Sequence, residues 1–393
     1  MSLKHVILRT VPAGRRVPGR NKAGAAIEPL AAAPLKLEVL DLQPHEAAAL
    51  SRQRDVVALA PVMPMKLIAP VETRQVAAPA AGPTWGVKAV GADTSPFTGA
   101  GVVVAVLDTG IDRSHPAFAG MEIVTNNFTT ESAGDLHGHG THCAGTICGR
   151  DVSDTRIGVA RGVTTILAGK VLGAGGGSSD QVAQAIQWAT ASGAHVVSMS
   201  LGIDFPGFVK QLEDEGVPTE LATSMALEGY RANVLLFERL ASLIAAQNAF
   251  MQATVIVAAA GNESRRDLNP DFEIGVSPPA VAEGIVSVAA LGESPQGFAV
   301  ASFSNVGARV SGPGVDVISA RRGGGLVSMS GTSMATPHVA GVAALWAQKL
   351  VESGQLNAQL LADRLVGTAI TDGLAAGFEV GDVGAGIVQA PQG

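Results

Sequence analysis

Three short motifs bring an acid, a base and a nucleophile into one chain, in the order Asp108, His139 and Ser333. Asp108 lies in V-L-D-T-G-I-D, His139 begins H-G-T-H-C-A-G-T, and Ser333 lies in G-T-S-M-A-T-P-H-V-A-G. A serine hydroxyl is a weak nucleophile, but a neutral imidazole can accept its proton while a carboxylate fixes the imidazole tautomer. These residue types therefore predict acyl transfer through a covalent serine intermediate.

In these motifs the chain resembles the subtilisin-like serine proteases, or subtilases. The resemblance implies serine endopeptidase activity with Asp108 as the orienting acid, His139 as the general base and Ser333 as the nucleophile. The segment A-A-A-G-N similarly resembles the one that carries a side-chain oxyanion donor, which implies that role for Asn262. Such a fixed amide, joined by the backbone N–H of Ser333, would stabilise the charge that develops on the carbonyl oxygen.

The same resemblance implies a cleft in which an extended peptide pairs with exposed backbone. One wall is expected in G-A-G-G-G-S at 173–178, the other in S-M-S-L-G at 198–202, and a pocket for the residue before the cut beside A-A-A-G. The glycine-rich run imitates a dinucleotide loop, but Ser178 occupies the third glycine position, which disfavours nucleotide binding. The expected substrate-binding residues are Gly176, Gly177, Ser200, Leu201, Gly202 and Gly261.

A metal site is the alternative from another class. His137, His139, His142 and Cys143 lie within seven residues, and such a cluster is able to bind zinc. The subtilase pattern accounts for three of the four without metal, and Cys143 resembles the free cysteine of the proteinase K-like and thermitase-like branches. No metal is therefore expected at the reaction site, and no cofactor is required.

Calcium is a stabilising ion in many subtilases, but its usual site is in doubt here. Ala117 stands where the family has an acidic ligand, and the later loop offers Asp151 and Asp154 without the familiar pattern. The sequence leaves the position of any calcium site open.

The composition and net charge of the chain limit the classes of partner that it is expected to bind. The chain has 393 residues, a formal net charge of −7 and a pI near 5.6. With no long basic run, nucleic acid is not an expected partner, and the longest uncharged stretch is too polar to insert into a membrane. The N-terminus lacks a signal-peptide core, so a cytoplasmic location is expected, or an extracellular one if a leader precedes this sequence. The two cysteines, Cys143 and Cys148, are expected to stay unpaired.

The pattern of elements predicts an α/β fold. Buried strand-like runs at 101–108, 195–202, 253–260 and 284–291 alternate with helical patterns, which favours a mostly parallel sheet with helices on both faces. Residues 84–393 are expected to form this subtilisin-like catalytic domain. Catalytic groups at the carboxyl ends of strands follow from that architecture.

The N-terminal part predicts a separate small unit. Residues 1–34 are expected to be disordered, 35–75 to form a βαβ unit that resembles a shortened subtilase propeptide, and 76–83 to be a linker with a processing site. On this interpretation the chain's own N-terminal propeptide is a partner that assists folding and blocks the cleft. A plain interaction module is the alternative.

An insertion at about 203–250 departs from compact subtilases. This insertion is equally compatible with two roles. It could be a lid that narrows the range of substrates, or a packing element away from the site. The primary hypothesis is a self-processed serine endopeptidase acting on proteins or peptides. A narrow-specificity processing peptidase for one partner peptide and a noncatalytic peptide-binding descendant remain open.

Overall fold

The computed structural model describes residues 2–10, 35–75, 81–247 and 252–393. The strands in these ranges are β1 (Leu3–Thr10), β2 (Leu35–Leu42), β3 (Val56–Pro61), β4 (Pro64–Leu67), β5 (Glu72–Gln75), β6 (Gly82–Pro83), β7 (Val103–Asp108), β8 (Glu122–Asn127), β9 (Thr155–Arg156), β10 (Thr165–Lys170), β11 (Gly177–Ser178), β12 (Val196–Met199), β13 (Leu201–Ile203), β14 (Val255–Ala259), β15 (Ile285–Ser294), β16 (Gly297–Val300), β17 (Val310–Pro313), β18 (Val317–Ala320) and β19 (Leu326–Ser330). The helices are α1 (Pro44–Leu50), α2 (Trp85–Ala89), α3 (His139–Cys148), α4 (Ser179–Ala191), α5 (Phe205–Asp214), α6 (Thr219–Gln247), α7 (Thr332–Glu352), α8 (Ala358–Gly367) and α9 (Val380–Val383).

The first three strands and α1 form a small N-terminal unit. β1 lies between β2 and β3 and runs antiparallel to both. This corrects the expectation of disorder over residues 1–34, because Val6, Ile7 and Leu8 of β1 are fully buried. The sequence signal was weak because β1 is stabilised by strand partners that lie 25 or more residues further along the chain. Residues 11–34 lie outside the described ranges.

A large twisted sheet forms the centre of the remaining chain. Among the described residues its order is β16-β15-β14-β12-β7-β10-β8, and β17 also pairs with β15. All of these pairings are parallel except the one between β15 and β16. The mostly parallel α/β architecture predicted from the strand-like runs is therefore confirmed.

Both faces of the central strands β7, β12 and β14 are buried, as parallel strands require. Successive residues of β7 point to opposite faces, so Val104 and Val106 join one apolar cluster while Ala105 and Leu107 join the other. The first cluster contains the apolar residues of α3 and α7, and the second contains those of α4 and α6. Within the described residues, no helix combines the length and hydropathy that crossing a bilayer requires.

Helices α5 and α6 account for the insertion at 203–250. They pack on each other, α6 also packs on β3 of the N-terminal unit, and α5 contacts β4. Phe208 and Leu212 of α5 are buried in the cluster beneath. The insertion therefore lies beside the N-terminal unit, where it supports the segment that leads into the cleft. Residues 248–251 lie outside the described ranges.

Candidate active site

Three elements converge on the site and each contributes one reactive side chain. Asp108 is the last residue of β7, His139 is the first of α3, and Ser333 lies in the first turn of α7. All three are buried. Asp108 and His139 are 31 positions apart in the sequence, and His139 and Ser333 are 194 apart. The end of one strand and the starts of two helices bring them together.

The acid and the base contact each other directly. The Nδ1 atom of His139 lies 2.9 Å from Oδ1 and 3.0 Å from Oδ2 of Asp108. The backbone N–H of Thr109 also donates to Asp108 Oδ1, at 2.7 Å. The carboxylate is therefore fixed on both sides, and it selects the tautomer that carries the proton on Nδ1.

Burial and charge act in opposite directions on His139. Burial lowers the pKa of the imidazole, whereas the Asp108 carboxylate and Cys143 raise it, and the pKa ends well above its usual value. The Nε2 atom has no hydrogen-bond partner within the described part of the chain. That nitrogen is the one that a general base uses, so an acceptor site is available where the chemistry needs it.

Asp135 is a positioning residue that the sequence analysis missed. Its carboxylate accepts hydrogen bonds from Thr109 Oγ1 at 2.9 Å, from the Gly138 N–H at 2.8 Å and from the Thr141 N–H at 3.0 Å. It therefore caps the start of α3 and ties it to the residue after Asp108. Its position three residues before Gly138, next to a helix start, was the signal available in the sequence.

Ser333 and Asn262 both bind carbonyl oxygens of the chain's own N-terminal segment. The Ser333 hydroxyl donates to Ile68 O at 2.7 Å, and the Asn262 Nδ2 amide donates to Ala69 O at 3.0 Å. The Asn262 Oδ1 atom accepts from the backbone N–H and the hydroxyl of Thr332, both at 2.8 Å. Asn262 is thus anchored to the first residue of α7, with its amide facing a peptide backbone.

The predicted cleft walls hold the same segment. Strand β4 lies between β11 and β13 and is antiparallel to both. Gly177 is paired with Met65, while Leu201 and Gly202 are paired with Leu67 and Lys66. This three-stranded sheet is the strand addition expected of an extended peptide in the cleft.

The remaining predicted cleft residues lie around this sheet. Ser200 accepts a hydrogen bond from the Ile68 N–H through its backbone oxygen, at 3.3 Å. Gly176 has a φ of +85°, and a side chain there would clash with Met65 O, so the close approach requires glycine. Gly261 contacts Thr332 through its N–H at 3.2 Å, beside Asn262. Its described contacts do not include the N-terminal segment.

The Ile68 side chain is buried beside Gly202. Ile68 is only 3% exposed. A Cβ atom at Gly202 would lie 3.8 Å from Ile68 Cγ1 and 3.6 Å from Ser277 Cβ, which is ordinary contact distance. At the rim, Glu263 lies 3.6 Å from the Lys66 ammonium, two residues before Ile68.

The four residues of the zinc alternative do not converge. Within the described residues, the potential ligand group at this place is Asp108, His139 and Cys143. His142 instead directs Nε2 to Val317 O at 3.0 Å, and burial lowers its pKa to about 3. His139 is already bound to Asp108, so the cluster is better explained by proton transfer than by metal binding. Cys143 and Cys148 are both free and buried, as expected.

The expected calcium position gains no ligand from the fold. Ala117 is buried and offers no side-chain oxygen. Asp151 lies 4.0 Å from Arg161, and the backbone oxygen of Asp154 accepts the Gly82 N–H. These residues do not fit a calcium site of the usual kind, and no step of the chemistry below involves one.

Comparison with known proteins agrees with this geometry. The family model described as "Subtilase family" matches residues 99–386. A thermostable alkaline protease of Halalkalibacterium halodurans is 39% identical over 63% of this chain and 57% of its own length. Subtilisin Savinase of Lederbergia lenta is 37% identical over 67% of this chain and 84% of its own.

A solved structure extends the similarity to the fold. Sphericase superposes with a TM-score of 0.58 at 30% identity, covering 78% of this chain and 98% of that one. The matched part of this chain spans just over half the length of the alkaline protease, and a larger share of the length of Subtilisin Savinase and Sphericase. The match covers the elements that carry Asp108, His139 and Ser333. The chain belongs to the subtilase family.

Proposed function

We propose that this protein is a serine endopeptidase that is made as a self-processed proenzyme. The observation that carries the proposal is the peptide segment bound across the site. Ser333 Oγ lies 2.7 Å from Ile68 O, Asn262 binds the next carbonyl, and Asp108 orients His139. A nucleophile and an amide donor thus contact the two carbonyl groups at one peptide bond, and a carboxylate orients the base assigned to this nucleophile.

The chemistry divides into two acyl transfers. Ser333 Oγ attacks the Ile68 carbonyl carbon while its proton passes to His139 Nε2, and the negative charge goes to the carbonyl oxygen. As the Ile68–Ala69 bond breaks, the proton on Nε2 moves to the departing amine of Ala69. Water then attacks the ester on Ser333 and gives one proton to His139. As the bond between Ser333 Oγ and the acyl carbon breaks, His139 returns this proton to Oγ, and Ile68 is released as a carboxylate.

Two local contacts between the site and the bound segment must change before this reaction begins. The Ser333 hydroxyl now donates to Ile68 O, so its proton must turn towards His139 Nε2. The Asn262 amide must also pass from Ala69 O to Ile68 O, one carbonyl upstream, because the oxyanion develops there. The segment is therefore held as an inhibitor until these contacts exchange.

We assign residues 1–68 to the propeptide and the cut to the Ile68–Ala69 bond. This moves the processing site upstream of the linker at 76–83. The support is the distance from Ser333 Oγ to Ile68 O, together with the burial of Ile68. On the far side of the bond, β5 pairs antiparallel with β19, which holds the other half of the segment across the site.

Intact mass spectrometry of the purified full chain tests this proposal. Incubation should convert the wild-type chain into two fragments whose masses correspond to residues 1–68 and 69–393, while Ser333→Ala should stay intact. A wild-type cut within 76–83 would contradict the bond assignment but keep self-processing. A wild-type chain that never shortens would contradict the proenzyme and favour a noncatalytic peptide-binding descendant.

A further inference from the structure

The bound segment does not end at the cleft but continues upstream along the insertion. From Pro61 to Ala69 it is in contact with the rest of the chain over about 30 Å, the length of nine extended residues. The half from Lys66 to Ala69 lies between the predicted cleft walls. The half from Pro61 to Met65 contacts α4, α5 and α6, and the last two of these belong to the insertion.

The upstream half is bound through backbone atoms that any extended peptide offers. The Asn233 Nδ2 amide of α6 donates to Pro61 O at 2.8 Å. Met63 is bound on both sides by Ser179, whose hydroxyl accepts the Met63 N–H at 3.1 Å and whose N–H donates to Met63 O at 2.9 Å. The Asp204 N–H, just before α5, donates to Pro64 O at 2.9 Å.

One side chain of this half enters a closed apolar pocket. Met63 is fully buried, in one cluster with Phe208 of α5. The floor is Gly229 of α6, where an added Cβ would lie 3.1 Å from Pro61 Cγ and 3.3 Å from Met63 Sδ. The same Cβ would lie 3.6 Å from Phe208 Cε1. A Cβ atom here would require Pro61 and Met63 to shift by a few tenths of an ångström, and a side chain as long as leucine would occupy the space of the Met63 side chain.

The composition of α6 at this point costs helix stability. A glycine inside a helix is less favourable than alanine by about 1 kcal/mol. Gly229 lies in the interior of α6, which has 29 residues. One turn later, Asn233 is fully buried, and its Oδ1 atom has no partner among the described residues. Its Nδ2 amide donates to Pro61 O and also to Gly229 O one turn earlier, at 2.9 Å, so α6 itself orients the amide towards the bound segment.

We infer that this track is an extended substrate-binding site of the processed enzyme. Its pocket accepts a methionine- or leucine-sized side chain five residues before the residue that is cleaved. The inference depends on the proposed endopeptidase function. Once the Ile68–Ala69 bond is cut, residues 61–68 are a separate ligand, and a substrate with the same backbone and a similar apolar side chain competes for the same track. The preferred substrates are long extended segments of unfolded or flexible protein.

Two synthetic peptides with a fluorophore and a quencher test this without any variant. The long peptide has the sequence of residues 61–72, and the short one has that of 65–72. Both are added to the self-processed full chain in one reaction, so that their depletion ratio gives the ratio of kcat/KM regardless of the active fraction. We expect the long peptide to be favoured about tenfold, and replacement of its methionine at position 63 by aspartate to remove the advantage.

Protein variants then locate the site. Gly229→Leu fills the pocket and should reduce the long-to-short ratio to about one. Arg231→Leu adds the same side chain on the exposed face of the same helix, two residues away, and should keep the wild-type ratio. Equal kcat/KM for the two peptides in the wild-type protein would overturn this inference alone. Failure to cleave either peptide would overturn the proposed function and this inference with it.

Discussion

At the scale of single residues, the electrostatics of His139 control when the site can react. Burial lowers the pKa of its imidazole, the Asp108 carboxylate and Cys143 raise it, and the net change is upward. A general base must be neutral to accept the Ser333 proton. The rate should therefore rise as the pH rises through the elevated pKa of His139.

We predict that Asp108→Asn changes both the size and the midpoint of this pH dependence. Without the carboxylate, burial remains as the main influence and lowers the pKa of His139, so the midpoint of the rise should move to lower pH. The maximal kcat should fall by about ten-thousandfold, the loss that this substitution causes in another serine protease. Hydrolysis of a short peptide across the pH range measures both quantities. An unchanged midpoint would show that Asp108 does not control the charge of His139.

Short motifs were the clearest residue-level signals in the sequence. The motifs around Asp108 and His139 led to two side chains that contact each other, and those around Ser333 and Asn262 led to two that contact the bound segment. Asp135 gave only the weak signal of a carboxylate near a helix start, because its bond to Thr109 depends on the contact between two segments. The register of Ile68 over Ser333 was likewise invisible, since strand pairing across more than 100 residues decides it.

At the scale of elements, close approach between α3 and the end of β7 positions the acid against the base. A Cβ atom on Gly140 would clash with the carbonyl oxygen of Gly110 and would lie 3.1 Å from Asp108 Cβ. The helix therefore begins at a distance that only a glycine in its first turn permits.

We predict that Gly140→Ala destabilises the protein by about 2 kcal/mol or more and lowers activity, because the backbone must separate Asp108 from His139. The matched control is Gly367→Ala in α8, where an added Cβ has open space. That change should raise the free energy of unfolding by about 0.5–1 kcal/mol. Denaturant unfolding in a Ser333→Ala background measures both stabilities, and peptide hydrolysis by Gly140→Ala with Ser333 intact measures the activity. Equal effects at the two glycines would contradict the positioning argument.

Long periodic or apolar segments were predictable as elements, while short pairings were not. The runs at 101–108, 195–202, 253–260 and 284–291 contain β7, β12, β14 and most of β15. Strand β1 was missed, and two-residue strands such as β11 have no pattern of their own. The insertion was recognised by its length, but its packing against β3 depends on tertiary contacts that no local pattern encodes.

At the scale of the whole molecule, buried neutral histidines make stability depend on pH. Burial lowers the pKa of His142 to about 3 and that of His338 to about 4. In the unfolded chain these histidines have a pKa near 6.5 and take up protons below that pH, whereas in the folded protein they stay neutral. The free energy of unfolding therefore falls as the pH decreases below about 6.5. His139 has the opposite sign, since its raised pKa gives stability that is lost as the pH rises through the folded value.

We predict that His338→Gln reduces this acid sensitivity. When the pH is lowered from about 7 to about 5, each histidine that stays neutral in the folded protein should reduce the free energy of unfolding by about 2 kcal/mol. The total reduction should therefore be smaller by about 2 kcal/mol in His338→Gln. His45→Gln, at an exposed position, serves as the control and should leave the pH slope unchanged. Denaturant unfolding of Ser333→Ala proteins at the two pH values provides the measurement. Identical slopes for His338→Gln and its parent would contradict the prediction.

The central claim is that Ser333 is a nucleophile activated by His139 and covered by residues 64–69 until the chain cuts itself. The most direct test is the intact mass of the protein after exposure to a serine-reactive fluorophosphonate, with Ser333→Ala as control. The account predicts one adduct that requires Ser333 and that forms on a chain beginning at Ala69, while the uncut chain stays unlabelled. An adduct that persists in Ser333→Ala, or a shortened chain that does not react, would contradict it.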